Sequence, residues 1–276
     1  MLRVYQWRIA AALPHYNVYL LTAIQRDLLT VVLVSPRNPL NIGAAARAMA
    51  NFGFSRLTVV APYEEHWREA KSAVQAEGLL QNARRTQSLA EAVADCTLVL
   101  GTGTLTHRKA EQPVIPLPAL APSVQQALDC GGRVALVFGS EKHGLTRENL
   151  SLCHMLVEIP TDARQPSMNL GQAVAVCLYE LTRPPDAVTS ASLPGNVDST
   201  TPAASGALER LAGVIVTTMT AANYSPRAMQ SANRHDLRLL LRRLHLDGSD
   251  TRRILGLFRR ILWKLNGGSS SGNGDK

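Results

Sequence analysis

Three short segments of this 276-residue chain bring together residue types whose spacing can do chemistry. The first is Ser35-Pro-Arg-Asn-Pro-Leu-Asn41-Ile-Gly43-Ala-Ala-Ala-Arg47. Asn41 stands where an Ala-rich helix begins and suits a cap. Gly43 to Ala46 give that helix a surface almost without side chains, so another backbone or a ligand can approach it closely. Arg47 follows one turn after Gly43, near the same face. A guanidinium keeps its proton, so its chemistry is bidentate binding of phosphate and stabilisation of a forming oxyanion rather than base catalysis. The second segment is Phe138-Gly139-Ser-Glu141-Lys-His-Gly144-Leu145. Two glycines around a carboxylate point to a tight loop against a ligand, in which Glu141 either braces the loop or makes a contact. The third is Ile159-Pro-Thr-Asp-Ala-Arg-Gln-Pro-Ser167-Met168-Asn169-Leu170, where Ser167 and Asn169 precede a long helix and suit either a cap or a site.

Other chemistries fit less well. Gly139 and Gly144 have the spacing of a phosphate-binding loop, but Leu145-Thr146 replaces the Lys-Ser/Thr pair that grips the phosphate. Gly101-Thr-Gly103 follows a strand, yet position 106 is Thr where a dinucleotide fingerprint needs Gly. Cys96, Cys130, Cys153 and Cys177 are scattered, which suits a reducing cytoplasm, and the seven histidines show no ligand spacing. The expectation is therefore no metal site.

These segments need a scaffold. Thr30–Val34, Leu57–Ala61, Thr97–Leu100 and Val134–Phe138 are short apolar runs bounded by Gly, Pro or polar residues, with a fifth at Met155–Ile159. Such runs fit parallel strands buried on both faces. Helices are predicted over Asn41–Phe52, Leu89–Ala94, Val124–Leu128 and Asn169–Leu181, the first ending at Gly53. Strands alternating with helices predict an α/β domain, a parallel sheet with helices on both faces, over residues 29–183. Each chemical segment then starts at a strand's carboxyl end, where open α/β sheets bind ligands.

Residues 1–28 form an N-terminal extension, too short and too polar for a membrane span. Residues 184–206 turn to Ser, Thr, Pro, Ala and Gly and read as a linker. Residues 207–266 read as a basic helical extension with helices at Ala207–Ala222, Asp236–His245 and Thr251–Leu265, and 267–276 as a disordered tail. That extension carries eleven basic and four acidic side chains, nearly all of the chain's net charge of +8. A basic excess attracts polyanions. Membrane attachment is not expected, and the protein reads as cytoplasmic.

Taken in order, the segments resemble the SpoU/TrmH family of SPOUT RNA 2′-O-methyltransferases. Asn41-x-Gly43-x-x-x-Arg47 is similar to its first motif, Phe138-Gly139-Ser-Glu141-x-x-Gly144-Leu145 to its second, and Ile159-Pro160 with Ser167-Met168-Asn169-Leu170 to its third. The match spans about Val31 to Glu180. The resemblance implies a C-terminal trefoil knot in the α/β domain, a homodimer with the active site at its interface, and S-adenosylmethionine as cofactor. It places the cofactor against Thr102, Gly103, Thr104, Gly139, Gly144, Ile159, Ser167, Met168 and Asn169, and gives catalytic roles to Arg47, Asn169, Ser167, Asn41 and Glu141. Gly103-Thr104 departs from the Ser-Ala common in related chains. The Arg-rich extension is most similar to the TrmJ branch, which implies a tRNA substrate methylated on the ribose of the first anticodon-loop nucleotide (position 32, cytidine or uridine). The alternatives are an rRNA 2′-O-methyltransferase and an inactive RNA-binding dimer. Deleting residues 184–276 is expected to weaken tRNA binding and spare cofactor binding.

Overall fold

The apolar runs become the centre of a sheet. The computed structural model describes residues 21–103, 110–183 and 201–267. Its strands are β1 (Leu29–Val34), β2 (Arg56–Val60), β3 (Arg84–Thr86), β4 (Leu98–Thr102), β5 (Val114–Pro116), β6 (Val134–Phe138) and β7 (Met155–Glu158). They form one seven-stranded sheet in the order β3-β2-β1-β6-β4-β7-β5, with every neighbouring pair parallel. The two strands not expected, β3 and β5, are three residues each and lie at the edges.

Successive side chains of a strand point to opposite faces, so each strand feeds two cores. Val31 and Leu33 join Val59, Leu136 and Phe138 under α2 (Pro39–Asn51), α5 (Leu120–Asp129) and α7 (Leu170–Thr182). Val32 and Val34 join Val60, Val99 and Val137 on the other face, with Leu89 and Ala92 of α4 (Leu89–Ala92). The short helices α1 (Ala23–Arg26), α3 (Glu77–Gln81) and α6 (Arg147–Leu150) complete the domain. The expected helix-sheet-helix layering is present, and α2 ends as predicted with Gly53 at φ +73°.

The order β6-β4-β7 sets the carboxyl ends of three strands side by side, and the loops after them carry the second and third motifs. Gly101 in β4 is tightly enclosed: a Cβ there would lie 2.8 Å from Cys153 Sγ.

Helices α8 (Ser205–Ala221), α9 (Gln230–Arg243) and α10 (Gly248–Leu265) form a third core around Leu208, Leu211, Ala212 and Leu241. Residues 201–206, read as the end of a linker, are packed instead. Ala203 and Ser205 are buried. The Ser205 N–H donates to the Cys96 carbonyl at 2.8 Å and the Gly206 N–H to the Ala94 carbonyl at 2.9 Å. Polar composition does not prevent packing when backbone groups find backbone partners. The helices therefore sit directly on the α/β domain. No helix among the described residues is long and apolar enough to cross a membrane, and no group of three or more His, Cys, Asp or Glu side chains there could hold a metal ion.

Candidate functional site

A cleft of about 570 Å³ opens at the carboxyl ends of β4, β6 and β7. Its wall brings together residues far apart in sequence: Thr102 at the end of β4 with Gly103 after it, Gly139 to Leu145 after β6, and Ile159 to Thr161, Ala163 and Pro166 to Met168 after β7. Phe138, Leu145, Leu156, Leu170 and Ala173 supply apolar surface, while Glu141, Lys142, His143 and Glu158 bring charge or a titratable ring to the rim. A cavity of this size with an apolar lining and a few polar groups suits a small organic ligand.

The loop after β6 folds back on itself. The Gly144 N–H donates to the Ser140 carbonyl at 2.8 Å, and Gly144 adopts φ +64°. A Cβ on Gly139 would lie 2.1 Å from the Gly144 carbonyl carbon and 2.2 Å from the Leu145 nitrogen, so only glycine permits this approach. Thr102 is buried and its hydroxyl donates to the Val137 carbonyl at 3.0 Å. It therefore holds two strand ends together, and offers the cleft its shape rather than a free donor.

Glu141 closes the cleft toward the first motif. One of its oxygens accepts the Arg37 N–H at 2.9 Å; the other accepts the Asn38 N–H at 3.1 Å and Asn41 Nδ2 at 2.9 Å. Partial burial works against its charge, but these hydrogen bonds, led by that of Asn41, outweigh it and hold the carboxyl below its ordinary range. Glu141 therefore braces the loop, and it also lines the cleft. Ser35 turns the chain toward it with φ +48°, a left-handed conformation uncommon for a residue with a side chain.

Asn41 is not the cap expected of it. Asn38 caps α2, accepting the Leu40 N–H at 2.9 Å, with Pro39 in the first turn. Proline lacks the N–H that a first turn cannot use and is set to a helical φ, which moves the start three residues earlier. Asn41 instead links two motifs: it donates to Glu141, and its oxygen accepts Asn169 Nδ2 at 3.0 Å. Asn169 in turn caps α7, accepting the N–H groups of Gly171 at 2.9 Å and Gln172 at 3.4 Å. Ser167 makes no such cap and lies exposed on the cleft wall.

The small-residue face of α2 receives backbone. A Cβ on Gly43 would lie 2.2 Å from Ser72 Oγ and 2.9 Å from the Ala73 nitrogen, and one on Gly171 of α7 would lie 2.7 Å from Ala44 Cβ. Arg47 is exposed on α2 and does not line the cleft. Thr104 falls outside the described residues. The structure thus gathers Thr102, Gly103, Gly139, Glu141, Gly144, Ile159, Ser167 and Met168 at one cleft, joins Asn41 and Asn169 to its edge, and leaves Arg47 apart from it within one chain.

The buried titratable groups are not reactive ones. Burial pushes the Cys96, Cys153 and Cys177 thiols up to about 12. Burial, with nearby Arg242 and His245, pushes His154 down to about 3, and its Nδ1 accepts the Val99 N–H at 3.1 Å. A neutral imidazole in that position ties the start of β7 to the interior strand β4. Sequence reasoning missed a polar network behind the cleft. Glu111 pairs with Arg147 and with His235 Nε2 at 2.8 Å, and Arg238 binds Glu209 at 2.8 Å. The Glu111 pairs join the loop before β5 to α6 and α9, the Arg238 pair joins α9 to α8, and no local pattern announces pairings across such sequence distances.

An all-parallel α/β sheet with a ligand cleft across three adjacent strand ends, walled by glycine-closed loops, defines the class of protein. The chain belongs to the SpoU rRNA Methylase family, whose pattern matches residues 28–179. It is 42% identical over 161 residues to the tRNA (cytidine/uridine/adenosine-2′-O-)-methyltransferase TrmJ of Pseudomonas aeruginosa, covering 56% of this chain and 60% of that one. It is 37% identical over 157 residues to the tRNA (cytidine-2′-O-)-methyltransferase TrmJ of Methanocaldococcus jannaschii, covering 56% and 67%. The chain thus spans about 60% of the length of the first of these relatives. The crystal structure of TrmJ from Z. mobilis superposes with a TM-score of 0.72 at 29% identity, covering 84% of this chain and 98% of that one.

Proposed function

We propose that the chain is an S-adenosylmethionine-dependent RNA ribose 2′-O-methyltransferase that acts in the cytoplasm on tRNA, at the cytidine or uridine that opens the anticodon loop (position 32). The observation that carries this reading is the convergence of all three motif segments on one cleft and its edge, joined by the Glu141–Asn41–Asn169 hydrogen bonds. The names of the similar proteins support a tRNA ribose as substrate.

The cleft fits the cofactor. The apolar surface of Phe138, Leu145, Leu156 and Leu170 suits an adenine ring, and the turns at Gly103, Gly139 to Gly144 and Ile159 bring backbone polar groups to its rim. Gly139 and Gly144 would shape the wall together with Ser167 and Met168. When bound, the cofactor supplies an already activated methyl group on a sulfonium. The chain must then present a ribose 2′-hydroxyl in line with it, and such alignment alone is worth several kcal/mol of barrier. Asn169 and Asn41 fix the start of α7 against the second motif, and Ser167 orients the ribose from the cleft wall.

Arg47 binds the neighbouring phosphate and stabilises charge developing on the 2′-oxygen, as a fixed guanidinium does well. Because Arg47 does not line the cleft of its own chain, a homodimer is the arrangement in which one copy's Arg47 serves the other's cleft. The reading is tested by incubating the purified chain with labelled S-adenosylmethionine and separate tRNA and rRNA pools, then digesting to nucleosides for mass spectrometry. Label in 2′-O-methylcytidine or 2′-O-methyluridine from tRNA is expected. Label confined to rRNA overturns the substrate, and cofactor binding without any transfer overturns the activity.

A further inference from the structure

The arginines of the C-terminal helices divide into two sets. On α9, Arg238 and Arg242 are buried: Arg238 pairs with Glu209, and Arg242 Nε donates to the Leu152 carbonyl at 3.0 Å. These belong to the fold. On α10 the apolar residues Ile254, Leu255 and Phe258 pack against the α8 core, and Arg252, Arg253, Arg259, Arg260 and Lys264 are all exposed. Arg253 has Asp250 at 3.6 Å; the other four make no ion pair among the described residues. Trp263 stands among them, 51% exposed.

Helical geometry makes this a patterned surface. At 100° per residue, Trp263 lies within about 60° of Arg252, Gly256, Arg259 and Arg260 around the helix axis. Gly256 has nothing within 4 Å of where its Cβ would be, so one turn between the arginines is bare backbone. A flat aromatic ring, an open turn and an arc of cations without ion pairs among the described residues match what an unstacked nucleotide needs: a face for its base and charge for its phosphates. The exposed Leu257, Ile261 and Leu265 run along a different flank, more than about 100° from Trp263. A membrane-surface helix would place its tryptophan on that apolar ridge, not among the cations.

We infer that the outer face of α10 is a single-stranded RNA contact in which an unpaired base stacks on Trp263 while Arg252, Arg259, Arg260 and Lys264 hold the flanking phosphates. This rests on the RNA-directed reading above and assigns it a second contact outside the cleft.

The test is tryptophan fluorescence of the full chain, taking the difference between wild type and Trp263→Phe to isolate this ring from Trp7 and from the buried Trp67. An RNA stem-loop with an unpaired loop should quench the difference signal to saturation, and a fully paired duplex of similar length should bind without quenching. Trp263→Ala should weaken stem-loop binding about tenfold, Trp263→Phe much less, and neither should alter the salt dependence. Arg260→Gln should lower the salt slope by roughly one. S-adenosylmethionine affinity, measured without RNA, should be the same in Trp263→Ala as in wild type, so loss of the cofactor site and loss of this contact register separately. Unchanged affinity in Trp263→Ala overturns the inference. So does quenching by phosphatidylglycerol vesicles but not by RNA, or a difference signal that depends on protein concentration with no RNA added.

Discussion

Gly139→Ala isolates the closed loop from the rest of the fold. The added methyl would meet the Gly144 carbonyl carbon at 2.1 Å and the Leu145 nitrogen at 2.2 Å, both backbone atoms that cannot rotate away. Overpacking of this kind costs about 1–3 kcal/mol. Here the loop can escape by opening, so the cost falls on the closed conformation rather than on the buried sheet. At 1.4 kcal/mol per factor of ten, the closed-to-open ratio falls by about five- to 140-fold. If that loop is the cofactor wall, the apparent Kd for S-adenosylmethionine rises by up to that factor, because only the closed fraction binds. Gly131→Asn is the matched control: it has a left-handed φ of +73° that asparagine tolerates, nothing lies within 4 Å of its Cβ position, and it does not line the cleft. Isothermal titration of both variants with the cofactor, beside thermal unfolding, gives the answer. The expected result is weakened binding in Gly139→Ala, near wild-type binding in Gly131→Asn, and unfolding midpoints within a few degrees of each other. Wild-type affinity in Gly139→Ala would remove the loop from the cofactor site.

Arg47→Ala should lower single-turnover methyl transfer at saturating cofactor by about a hundred- to a thousandfold and leave cofactor affinity unchanged; if Arg47→Lys and Arg47→Ala both keep near wild-type rates, the phosphate role is wrong. At a cofactor concentration too low to fill Gly139→Ala clefts, mixing Arg47→Ala with Gly139→Ala should restore about a quarter of the wild-type sites if the active site is shared between two copies, and none if it is not. Arg238→Ala should cost on the order of 2 kcal/mol in urea unfolding, since it removes the bidentate partner of Glu209 and leaves it only the longer contact to Arg234, whereas Arg260→Ala should cost almost nothing. Glu111 has its carboxyl held at about 2, mainly by its hydrogen bond to Arg147, against an ordinary 4.5. Its depressed value stabilises the fold above about pH 4.5 and that contribution is lost as pH falls toward 2. Glu111 remains about a third exposed, so the effect is on the order of 1 kcal/mol; unfolding midpoints between pH 4.5 and 2 should fall less steeply in Glu111→Gln than in wild type.

The central strands were legible because burial on both faces demands continuous apolar runs, and Val134–Phe138 in the middle of the sheet has every residue buried. The edge strands were not, because Arg84-Arg85-Thr86 becomes a strand only through its pairing with β2. Asn41 was misplaced for a local reason that the sequence did contain: Asn38 precedes Pro39, and proline in the first turn points to the residue before it as the cap. The true partners of Asn41 were beyond local reading. Glu141 lies a hundred residues away and Asn169 further still, so their hydrogen bonds exist only once the sheet has set three strand ends together. The same holds for the bare face of α2, whose occupant is the backbone at Ser72 and Ala73.

Charge was the least legible property of all. Eleven basic residues in the C-terminal extension suggest one uniform polyanion surface, but folding spends part of them internally. Arg238 faces Glu209 and Glu148, Arg234 faces Glu209, and Arg242 is buried against a backbone carbonyl. Desolvation lowers Arg242 to about 10, which still leaves it charged at neutral pH and fixed in place. Deleting the extension would therefore remove more than RNA affinity. It would uncover the Cys96 edge and strip His235 from Glu111, which immediately precedes the packed stretch leading into β5. Loss of activity in such a truncation conflates support of the cleft with capture of substrate. Neutralising the exposed cations of α10 separates the two, because those side chains touch the solvent and hold nothing of the α/β domain.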